Sequence, residues 1–510
     1  MPVRTRAQAR GHESTCAPPA KRAAADAGLP DAPPPHPPPH PSPAAGAHLL
    51  DPAYGPPPST DYADLPAMLG HPDLGRVILG WLGDDTAAAS ALRSTCTAGR
   101  DAVAAHAWAD STTVVRHPAR WRRAFPAAVA ASVRGNTRLV DEDFVHLRGL
   151  RSLDMAGCSV TDAAFGHLAG IRTLDVSYCM QLTDGAFAHL AGVHTLKMRG
   201  CDQATITDAA FAHLRGIHTL NISFCRQATI TDGAFVHLAG VHTLDMSWCD
   251  QVTITDGAIA HLAGIHTLDM RYCRQATITD GAFAHLAGIH TLIMASCSQA
   301  TITDGAFAHL AGIHTLDMSS CNQAVISDAA FAHLAGVHTL DMRHCSQDTI
   351  TDGAFAHLRG IHTLNMSCCS QISDGAFVHL AGIHTLNMIG CRQATITDGA
   401  FAHLAGIHTL NMRECTQRTI TDRAFAHLAG VHTLDISGCD QVTITDAAFA
   451  HLAGIHTLTM NCCAQATITD GAFAHLAGIH TLIMGGCDQG TITDACRARL
   501  RAAGIVALRM

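Results

Sequence analysis

Residues 264–287 read GIHTLDMRYCRQATITDGAFAHLA, a unit of 24 residues that recurs in close copies along most of the chain. Within it, Ile265, Leu268, Met270 and Cys273 have the spacing I-x-x-L-x-M-x-x-C. Alternate residues of a strand point to the same face, so Leu268 and Met270 would point inward together. The first half of the unit therefore predicts a short strand that ends in a turn at the cysteine.

The second half of the unit predicts a short helix. Thr279 or Asp280 can cap its N-terminus, and Gly288 suits the left-handed residue that ends a helix. Phe283 and Leu286 lie three residues apart on its buried face. One unit cannot bury these side chains alone, so neighbouring units must stack, with their strands about 4.8 Å apart. The sequence thus predicts an α/β solenoid with a curved parallel sheet and short helices on the convex side.

One cysteine recurs per unit, and only three of the fourteen intervals between these cysteines differ from 24 residues. A single cysteine per unit lacks the paired spacing of zinc sites, and the N-terminal residues do not resemble a signal peptide. We therefore interpret the cysteines as a structural ladder of reduced thiols, and we expect neither a metal nor a cofactor. The ladder consists of Cys158, Cys179, Cys201, Cys225, Cys249, Cys273, Cys297, Cys321, Cys345, Cys369, Cys391, Cys415, Cys439, Cys463 and Cys487.

The unit resembles the cysteine-containing leucine-rich repeats of F-box proteins, in which a Thr-Asp helix start likewise follows the cysteine. This resemblance covers about residues 130–510, although the unit is nearer 24 than 26 residues long. It implies a leucine-rich-repeat solenoid that presents a variable face to a partner protein. The uniform repeats, with charge mostly from Asp and Arg, are also similar to repeat families of giant DNA viruses of amoebae. A viral origin would imply a host or viral target.

The segment before the repeats divides into three parts. Residues 1–60 hold most of the prolines and few large apolar residues, which predicts a disordered tail. Residues 64–110 carry apolar residues at helical spacing and are interpreted as a small all-α, F-box-like module. Residues 111–135 are interpreted as a linker and N-terminal cap, and residues 136–510 as the leucine-rich repeats.

Residues 71–82 look like a degenerate F-box. They depart from the family's opening L-P-x-E-L-L-x-x-I-L-x-x-L, because Pro72, Asp73 and Leu74 must replace its first part. The resemblance implies that a Skp-type adaptor binds a hydrophobic surface made by Leu74, Val77, Ile78, Leu82 and Cys96. The alternative is that these helices only cap the end of the solenoid.

Together, the module and the repeats imply the substrate-recognition subunit of a cullin-type ubiquitin ligase. Its partners would be a Skp-type adaptor with the cullin complex, and a target protein held on the concave face. The alternative is a stand-alone leucine-rich-repeat scaffold for protein–protein interaction, without a ligase. The sequence does not identify the target.

Composition argues against several other classes of protein. The net charge is −9 with scattered basic residues, so we expect no nucleic-acid partner. No apolar run reaches membrane-spanning length, so we expect no membrane partner. Phosphate-binding loops and hydrolase motifs are absent from the sequence, so we expect no enzyme activity. We expect a cytoplasmic protein, with nuclear import through the basic clusters near Arg4 and Lys21 as the alternative.

Recognition residues should face outward and differ between units. Phe224, Trp248 and Tyr272 occupy equivalent positions in three successive units, and exposed aromatic side chains are strong anchors for a partner. The alternative is that they only pack over the loops. An arginine recurs every third unit on an otherwise acidic face, which suits a carboxylate-rich partner or records triplication of a three-unit block. These arginines are Arg199, Arg271, Arg343 and Arg413.

Thirteen units carry two histidines, such as His285 and His290. Stacked units would align them in two files with neighbours about 5 Å apart. The files have two interpretations: adventitious nickel or zinc binding, or an exposed position copied by duplication. Because stacked imidazolium groups repel one another, protonation below about pH 6.5 predicts an acid-sensitive solenoid.

Overall fold

The computed structural model describes residues 86–95, 97–487, 489–503, 505 and 507–509. These residues belong to one compact unit. The predicted tail and the predicted adaptor-binding residues lie outside them, namely residues 1–60 with Leu74, Val77, Ile78, Leu82 and Cys96.

Within the described residues, seventeen strands of three residues each form one parallel sheet. Each strand pairs with the next along the chain, so that Leu268 lies beside both Leu244 and Leu292. This confirms the predicted parallel solenoid. The strands are β1 (Ala130–Ser132), β2 (Ser152–Asp154), β3 (Thr173–Asp175), β4 (Thr195–Lys197), β5 (Thr219–Asn221), β6 (Thr243–Asp245), β7 (Thr267–Asp269), β8 (Thr291–Ile293), β9 (Thr315–Asp317), β10 (Thr339–Asp341), β11 (Thr363–Asn365), β12 (Thr385–Asn387), β13 (Thr409–Asn411), β14 (Thr433–Asp435), β15 (Thr457–Thr459), β16 (Thr481–Ile483) and β17 (Ala507–Arg509).

Short helices follow the strands. Among the residues with described placement, none of the helices is both long enough and apolar enough to cross a membrane. The α-helices are α1 (Thr86–Thr95), α2 (Thr97–Ala105), α3 (Pro118–Ala124), α4 (Asp184–Phe187), α5 (Asp208–Phe211), α6 (Asp232–Phe235), α7 (Asp256–Ala260), α8 (Asp280–Phe283), α9 (Asp304–Phe307), α10 (Asp328–Phe331), α11 (Asp352–Phe355), α12 (Asp374–Phe377), α13 (Asp398–Phe401), α14 (Asp422–Ala426), α15 (Asp446–Phe449) and α16 (Asp494–Ala502). Turns of 3₁₀-helix span Asp141–Leu147, Asp162–His167, Ala212–Leu214, Val236–Leu238, Ala284–Leu286, Ala332–Leu334, Ala402–Leu404, Ala450–Leu452 and Ala472–His475.

The apolar residues of each unit form one continuous core along the solenoid. Leu268 on β7 and Phe283 at the end of α8 are fully buried, and Met270 is 1% exposed. The equivalent side chains of adjacent units pack against them, so each unit buries its apolar face only between neighbours. The core positions predicted from the 24-residue pattern are confirmed.

The cysteine of each unit supplies a hydrogen bond inside this core. All fifteen ladder cysteines are buried and free of disulfide bonds, in agreement with the predicted ladder. The Cys273 thiol donates to the Met246 carbonyl at 3.2 Å, and the Cys249 thiol donates to the Ile222 carbonyl at 3.1 Å. Burial raises the pKa of the Cys249 thiol to about 12. The thiol therefore stays protonated at neutral pH and keeps its donor role.

A carboxylate joins each helix start to the next unit. Asp280 accepts hydrogen bonds from the Thr303 backbone N–H at 2.7 Å and from the Thr303 hydroxyl at 2.5 Å. The Thr303 hydroxyl in turn accepts the Gly305 N–H at 3.1 Å and so caps its own helix, α9. The predicted choice between Thr and Asp as the cap is therefore resolved: the threonine caps its own helix, and the aspartate binds the cap of the neighbouring unit.

The N-terminal helices pack on the first strands of the solenoid. Trp108 is fully buried in a cluster that also holds Val103 of α2 and Phe125 just after α3. The indole N–H of Trp108 donates to the Val103 carbonyl at 2.8 Å. The Trp108 carbonyl accepts the Val129 N–H at 2.8 Å, next to β1. The helices and the first strand therefore share backbone and side-chain contacts.

We predict that Phe283→Ala weakens its repeat by about 3–5 kcal/mol, because it opens a cavity between two neighbours. Phe283→Ile should cost about 1.5 kcal/mol or less, since Ile259 fills the equivalent position one unit earlier with no exposed surface. Native-state hydrogen exchange across residues 264–312 would measure the local opening free energy. An equal loss in the two variants would contradict the described packing.

Candidate functional site

The residue before each ladder cysteine adopts a left-handed backbone conformation. Ten of these residues are not glycine, with φ between 57° and 63°. Glycine occupies the same position in other units, for example Gly200 with φ of 63° and Gly438 with φ of 69°. A left-handed conformation costs a residue with a side chain roughly 1–2 kcal/mol. Phe224, Trp248 and Tyr272 all lie in this strained position.

The three predicted aromatic residues form a continuous stack. The ring centroids of Phe224 and Trp248 lie 5.2 Å apart, and those of Trp248 and Tyr272 lie 3.8 Å apart. The planes of each pair differ by 18° and 15°. Tyr178 occupies the equivalent position two units before Phe224, and its side chain is 47% exposed. We call Tyr178, Phe224, Trp248 and Tyr272 the aromatic row.

Three arginines flank the aromatic row. Arg199 donates from Nε to the Tyr178 hydroxyl at 2.8 Å, and its Cζ lies 4.6 Å from the Phe224 ring centroid. Arg199 therefore bridges the gap that Gly200 leaves in the row. Arg226 lies 5.5 Å from the Phe224 ring and 5.3 Å from the Trp248 ring, and Arg274 lies 5.1 Å from the Tyr272 ring. Contacts of this length are cation–π interactions.

The aromatic row is neither buried in the core nor isolated in solvent. Phe224, Trp248 and Tyr272 are half-buried, and Arg226 and Arg274 are exposed. Part of each ring packs on its neighbours and the remainder faces solvent. Packing against neighbouring side chains therefore describes part of each ring, and anchoring of a partner stays a prediction for the part that faces solvent.

The predicted series of four arginines does not converge. Its members lie three units apart, which is about 14 Å along the sheet. Three of them are held by acidic side chains of their own chain: Arg271 by Asp269 at 2.7 Å, Arg343 by Asp341 at 3.4 Å and Arg413 by Glu414 at 3.4 Å. Arg199 is the member that joins the aromatic row.

The acidic strand positions have a structural role that the sequence analysis did not predict. Asp269 accepts the backbone N–H of Arg271 at 3.1 Å, and Asp245 accepts that of Ser247 at 3.0 Å. Asn365 does the same for Ser367 at 3.2 Å. These side chains hold the turn that follows each strand. The restriction of this position mainly to Asp and Asn was the signal that could have revealed this role.

Two arginines of the site were missed as well. Arg226 and Arg274 immediately follow a ladder cysteine, a position outside the strand that was not considered for recognition. Their Nε atoms donate to the Trp248 and Ser296 carbonyls, each at 3.1 Å, which fixes the guanidinium groups beside the rings. Their spacing of two units, on either side of Trp248, was the available signal.

One of the two predicted histidine files is a continuous stack from His194 to His480. Adjacent ring centroids lie 4.4–4.6 Å apart, with planes 11–15° apart. Each ring also contacts the next threonine, as His266 Nδ1 does with Thr267 Oγ1 at 3.1 Å. Desolvation beside the neighbouring rings lowers the pKa of His266, and the charges of His242 and His290 lower it further.

Among the residues that the structure describes, no group of three or more His, Cys, Asp or Glu side chains is placed to hold a metal ion. Adjacent imidazoles face each other ring to ring at about the spacing of the strands, so their nitrogen atoms do not converge.

Comparisons with known proteins support the fold. No protein-family model and no curated protein sequence matches this chain. Among solved structures, it is similar to a chain of the TLR13–ssRNA13 complex, with a TM-score of 0.50 and 16% identity over 71% of this chain and 60% of that chain. It is also similar to a chain of the Toll–Spatzle complex of Drosophila, with a TM-score of 0.51 and 14% identity over 68% and 49%.

The matched region thus spans less than two-thirds of either of those chains. These similarities and the parallel sheet with its short helices define the class of this chain: it has the leucine-rich-repeat fold.

The histidine stack predicts acid-sensitive stability. Because the folded-state pKa of His266 lies below its ordinary value, protonation costs more in the folded than in the unfolded chain. The free energy of unfolding should therefore be constant just above about pH 6.5 and fall as the pH drops below it, through the lowered folded-state pKa. Urea unfolding at pH 7.5, 6.5 and 5.5 would measure the loss.

The matched control replaces every second histidine of the stack with Gln, at His218, His266, His314, His362, His408 and His456. This variant separates the remaining rings, so its stability should depend less steeply on pH over the same range. A larger free energy of unfolding for the natural chain at pH 5.5 than at pH 7.5 would contradict the predicted direction of the pH dependence.

Proposed function

We propose that this protein is a binding scaffold that recognises a partner protein through the aromatic row and its flanking arginines. The observation that carries the proposal is the stack of Phe224, Trp248 and Tyr272, half-exposed and flanked by Arg199, Arg226 and Arg274. Trp, Tyr and Arg are the side chains enriched in the energetic centres of protein interfaces. The partner that fits is a segment carrying both apolar and carboxylate groups.

The backbone at the row supports a role beyond packing. Other units place Ser296, Ser320 or glycine at the same left-handed position, so the turn does not need an aromatic residue. Stacking and cation–π contacts offset part of the strain at the row, but these rings fill no space in the core. The left-handed turn is common to the units, so the aromatic side chains, and not the backbone conformation, are what distinguish the row.

We further propose that the scaffold is the substrate receptor of a cullin-type ubiquitin ligase. This finer assignment is supported by the order of the chain, in which an F-box-like segment directly precedes cysteine-type repeats. The helices α1 and α2 continue that segment and pack beside the first strands. An adaptor bound to the segment would thus be tethered close to the solenoid.

A stand-alone scaffold is the second candidate. It is favoured by the way in which Trp108 and Phe125 join α2 and α3 to the start of the sheet, as an internal cap would. In this case the helices protect the end of the solenoid and need no adaptor.

The aromatic row is tested by peptide selection. We expect acidic, aromatic-containing peptides selected on the full chain to bind at least about 30-fold more weakly to the triple variant Phe224→Ser, Trp248→Ser, Tyr272→Ser, which corresponds to about 2 kcal/mol. Serine is the matched replacement because Ser296 and Ser320 adopt the same backbone conformation. Fluorescence anisotropy would measure the affinities.

The control for this test replaces Val252, Val325 and Val442 with Ser, because these apolar side chains are 70%, 42% and 57% exposed and lie outside the row. Affinity in the control should equal that of the natural chain. If row and control variants bind alike, the row is a packing element and the binding surface lies elsewhere.

Adaptor binding separates the two candidate functions. We expect the full chain to co-purify with a eukaryotic Skp-type adaptor, and Leu74→Asp, Ile78→Asp, Leu82→Asp together to abolish retention, because charges replace the hydrophobic surface. The matched variant with Val252, Val325 and Val442 changed to Asp should retain the adaptor. Failure of the natural chain to bind any adaptor would leave the stand-alone scaffold.

A further inference from the structure

We propose that the N-terminal end of the solenoid binds a small organic anion carrying two or more phosphate groups. A cavity of about 790 Å³ lies between α1, the segment before α3, and α3 itself, and it is lined by Arg93, Arg116, Arg120 and Arg123. A second cavity of about 490 Å³ shares Arg116 with the first. We call the two cavities together the arginine pocket. This site is separate from the aromatic row and does not depend on the proposed function.

The charge of the arginine pocket is of one sign. Arg134 and Arg138 line the second cavity, and His117 lines both. Among the residues that the structure describes, neither cavity has an aspartate or glutamate in its wall. So dense a group of cations, in a chain with a net charge of −9, is a local concentration of positive potential that favours an anion.

Most arginines of the pocket have, among the described residues, no carboxylate partner of the kind that arginines have elsewhere in the solenoid. Within the described ranges, Arg134 is the only one of the six that forms an ion pair, with Asp154 at 3.6 Å. By contrast, Arg271 and Arg392 each hold a carboxylate at 2.7 Å. The guanidinium groups of the pocket are therefore not neutralised by the described part of the chain.

A second, independent observation comes from Arg93 on α1. Its Nε atom is buried and has no hydrogen-bond acceptor among the described residues. A buried donor without an acceptor is costly, and a rotation of the half-buried Arg93 side chain toward the cavity that it lines would let a bound anion supply the missing acceptor. Arg93 is half-buried, whereas Arg116, Arg120 and Arg123 are exposed at the mouth of the cavity.

The neighbouring Arg122 shows that the fold positions α3 without using these side chains. Arg122 donates to the His146 carbonyl at 2.7 Å and to the Ala128 carbonyl at 3.0 Å, which fixes α3 against the first repeats. Arg120 and Arg123, on the same helix, are left to line the cavity. Arg122 therefore anchors α3 to the repeats, whereas Arg123 donates from Nε to the Ala119 carbonyl of its own helix at 3.3 Å and, like Arg120, still lines the cavity where a ligand would bind.

Size and lining favour a small molecule with several phosphates. The volume falls within the range of about 300–1,000 Å³ that is typical of small-molecule sites. Guanidinium groups match phosphate oxygens in pairs, so several arginines lining one pocket suit more than one phosphate. Val115, Trp121 and Phe125 form an apolar part of the wall, against which the organic part of the ligand would lie.

The test uses the full chain and isothermal titration calorimetry at pH 7.5 and 0.15 M salt. The probes are tripolyphosphate, ATP, adenosine and a doubly phosphorylated peptide. We expect tripolyphosphate and ATP to bind with one-to-one stoichiometry, ATP at least as tightly as tripolyphosphate, and adenosine not to bind. The triple variant Arg116→Gln, Arg120→Gln, Arg123→Gln should weaken both by at least about tenfold. These side chains are exposed, so the fold should be unaffected.

The matched control also removes three positive charges, but from exposed arginines that do not line the pocket: Arg215→Gln, Arg359→Gln and Arg423→Gln. This control should bind both phosphates as the natural chain does. A second variant, Arg134→Gln with Arg138→Gln, should also weaken binding, and it keeps the test valid if the first variant misfolds. The proposal is overturned if neither phosphate binds, if the control loses as much affinity as the triple variant, or if only the phosphorylated peptide binds.

Discussion

The carboxylate at each helix start depends on the repeat that follows it. Asp280 accepts two hydrogen bonds from Thr303, and that threonine caps its own helix with the same hydroxyl. The cysteine thiols and buried glutamines act in the opposite direction along the chain, as when Gln275 donates to the Cys249 carbonyl at 3.2 Å. Among the described residues, neighbouring repeats therefore complete one another's polar contacts, and the fold depends on stacking for hydrogen bonds as well as for apolar burial.

This dependence explains where the repeat length varies. The interval between Cys369 and Cys391 is 22 residues, because two residues are missing from the loop after Cys369. Ser373 still donates its backbone N–H to Asp352 at 2.8 Å, as threonine does in the longer units. The shorter loop accommodates the two missing residues, and the hydrogen bond between the two helix starts is kept. Stacking thus constrains the helix start more tightly than it constrains the loop.

Periodicity predicted the parts of the fold that repeat. Leu268, Met270, Cys273 and Phe283 were placed in the core because their spacing matches a strand followed by a short helix, and the structure buries all four. The role of Asp269 was not predicted. Its side chain holds the turn through the Arg271 N–H, a contact set by local backbone geometry and not by the repeat spacing.

The candidate sites were predicted only where the repeat itself aligned their residues. Phe224, Trp248 and Tyr272 come together because equivalent positions of successive units stack. The arginine pocket was not predicted, since Arg93 and Arg138 lie on either side of the segment joining the helices to the sheet. Sequence spacing gives no distance between such residues. Five of the six arginines lie within residues 116–138, a local density that was visible in the sequence, and the tertiary fold adds Arg93 from α1.

The histidine stack and the uniform strands give the solenoid near-translational symmetry, with the same surface displayed again every 24 residues. A partner that contacted only repeated features would have many equivalent places to bind. A shift of that partner by one unit would change its binding free energy little. The aromatic row occurs once along the described repeats and interrupts this symmetry. It can therefore act as a fixed reference point for a bound chain. A long and repetitive surface then still specifies one alignment of the partner along the solenoid.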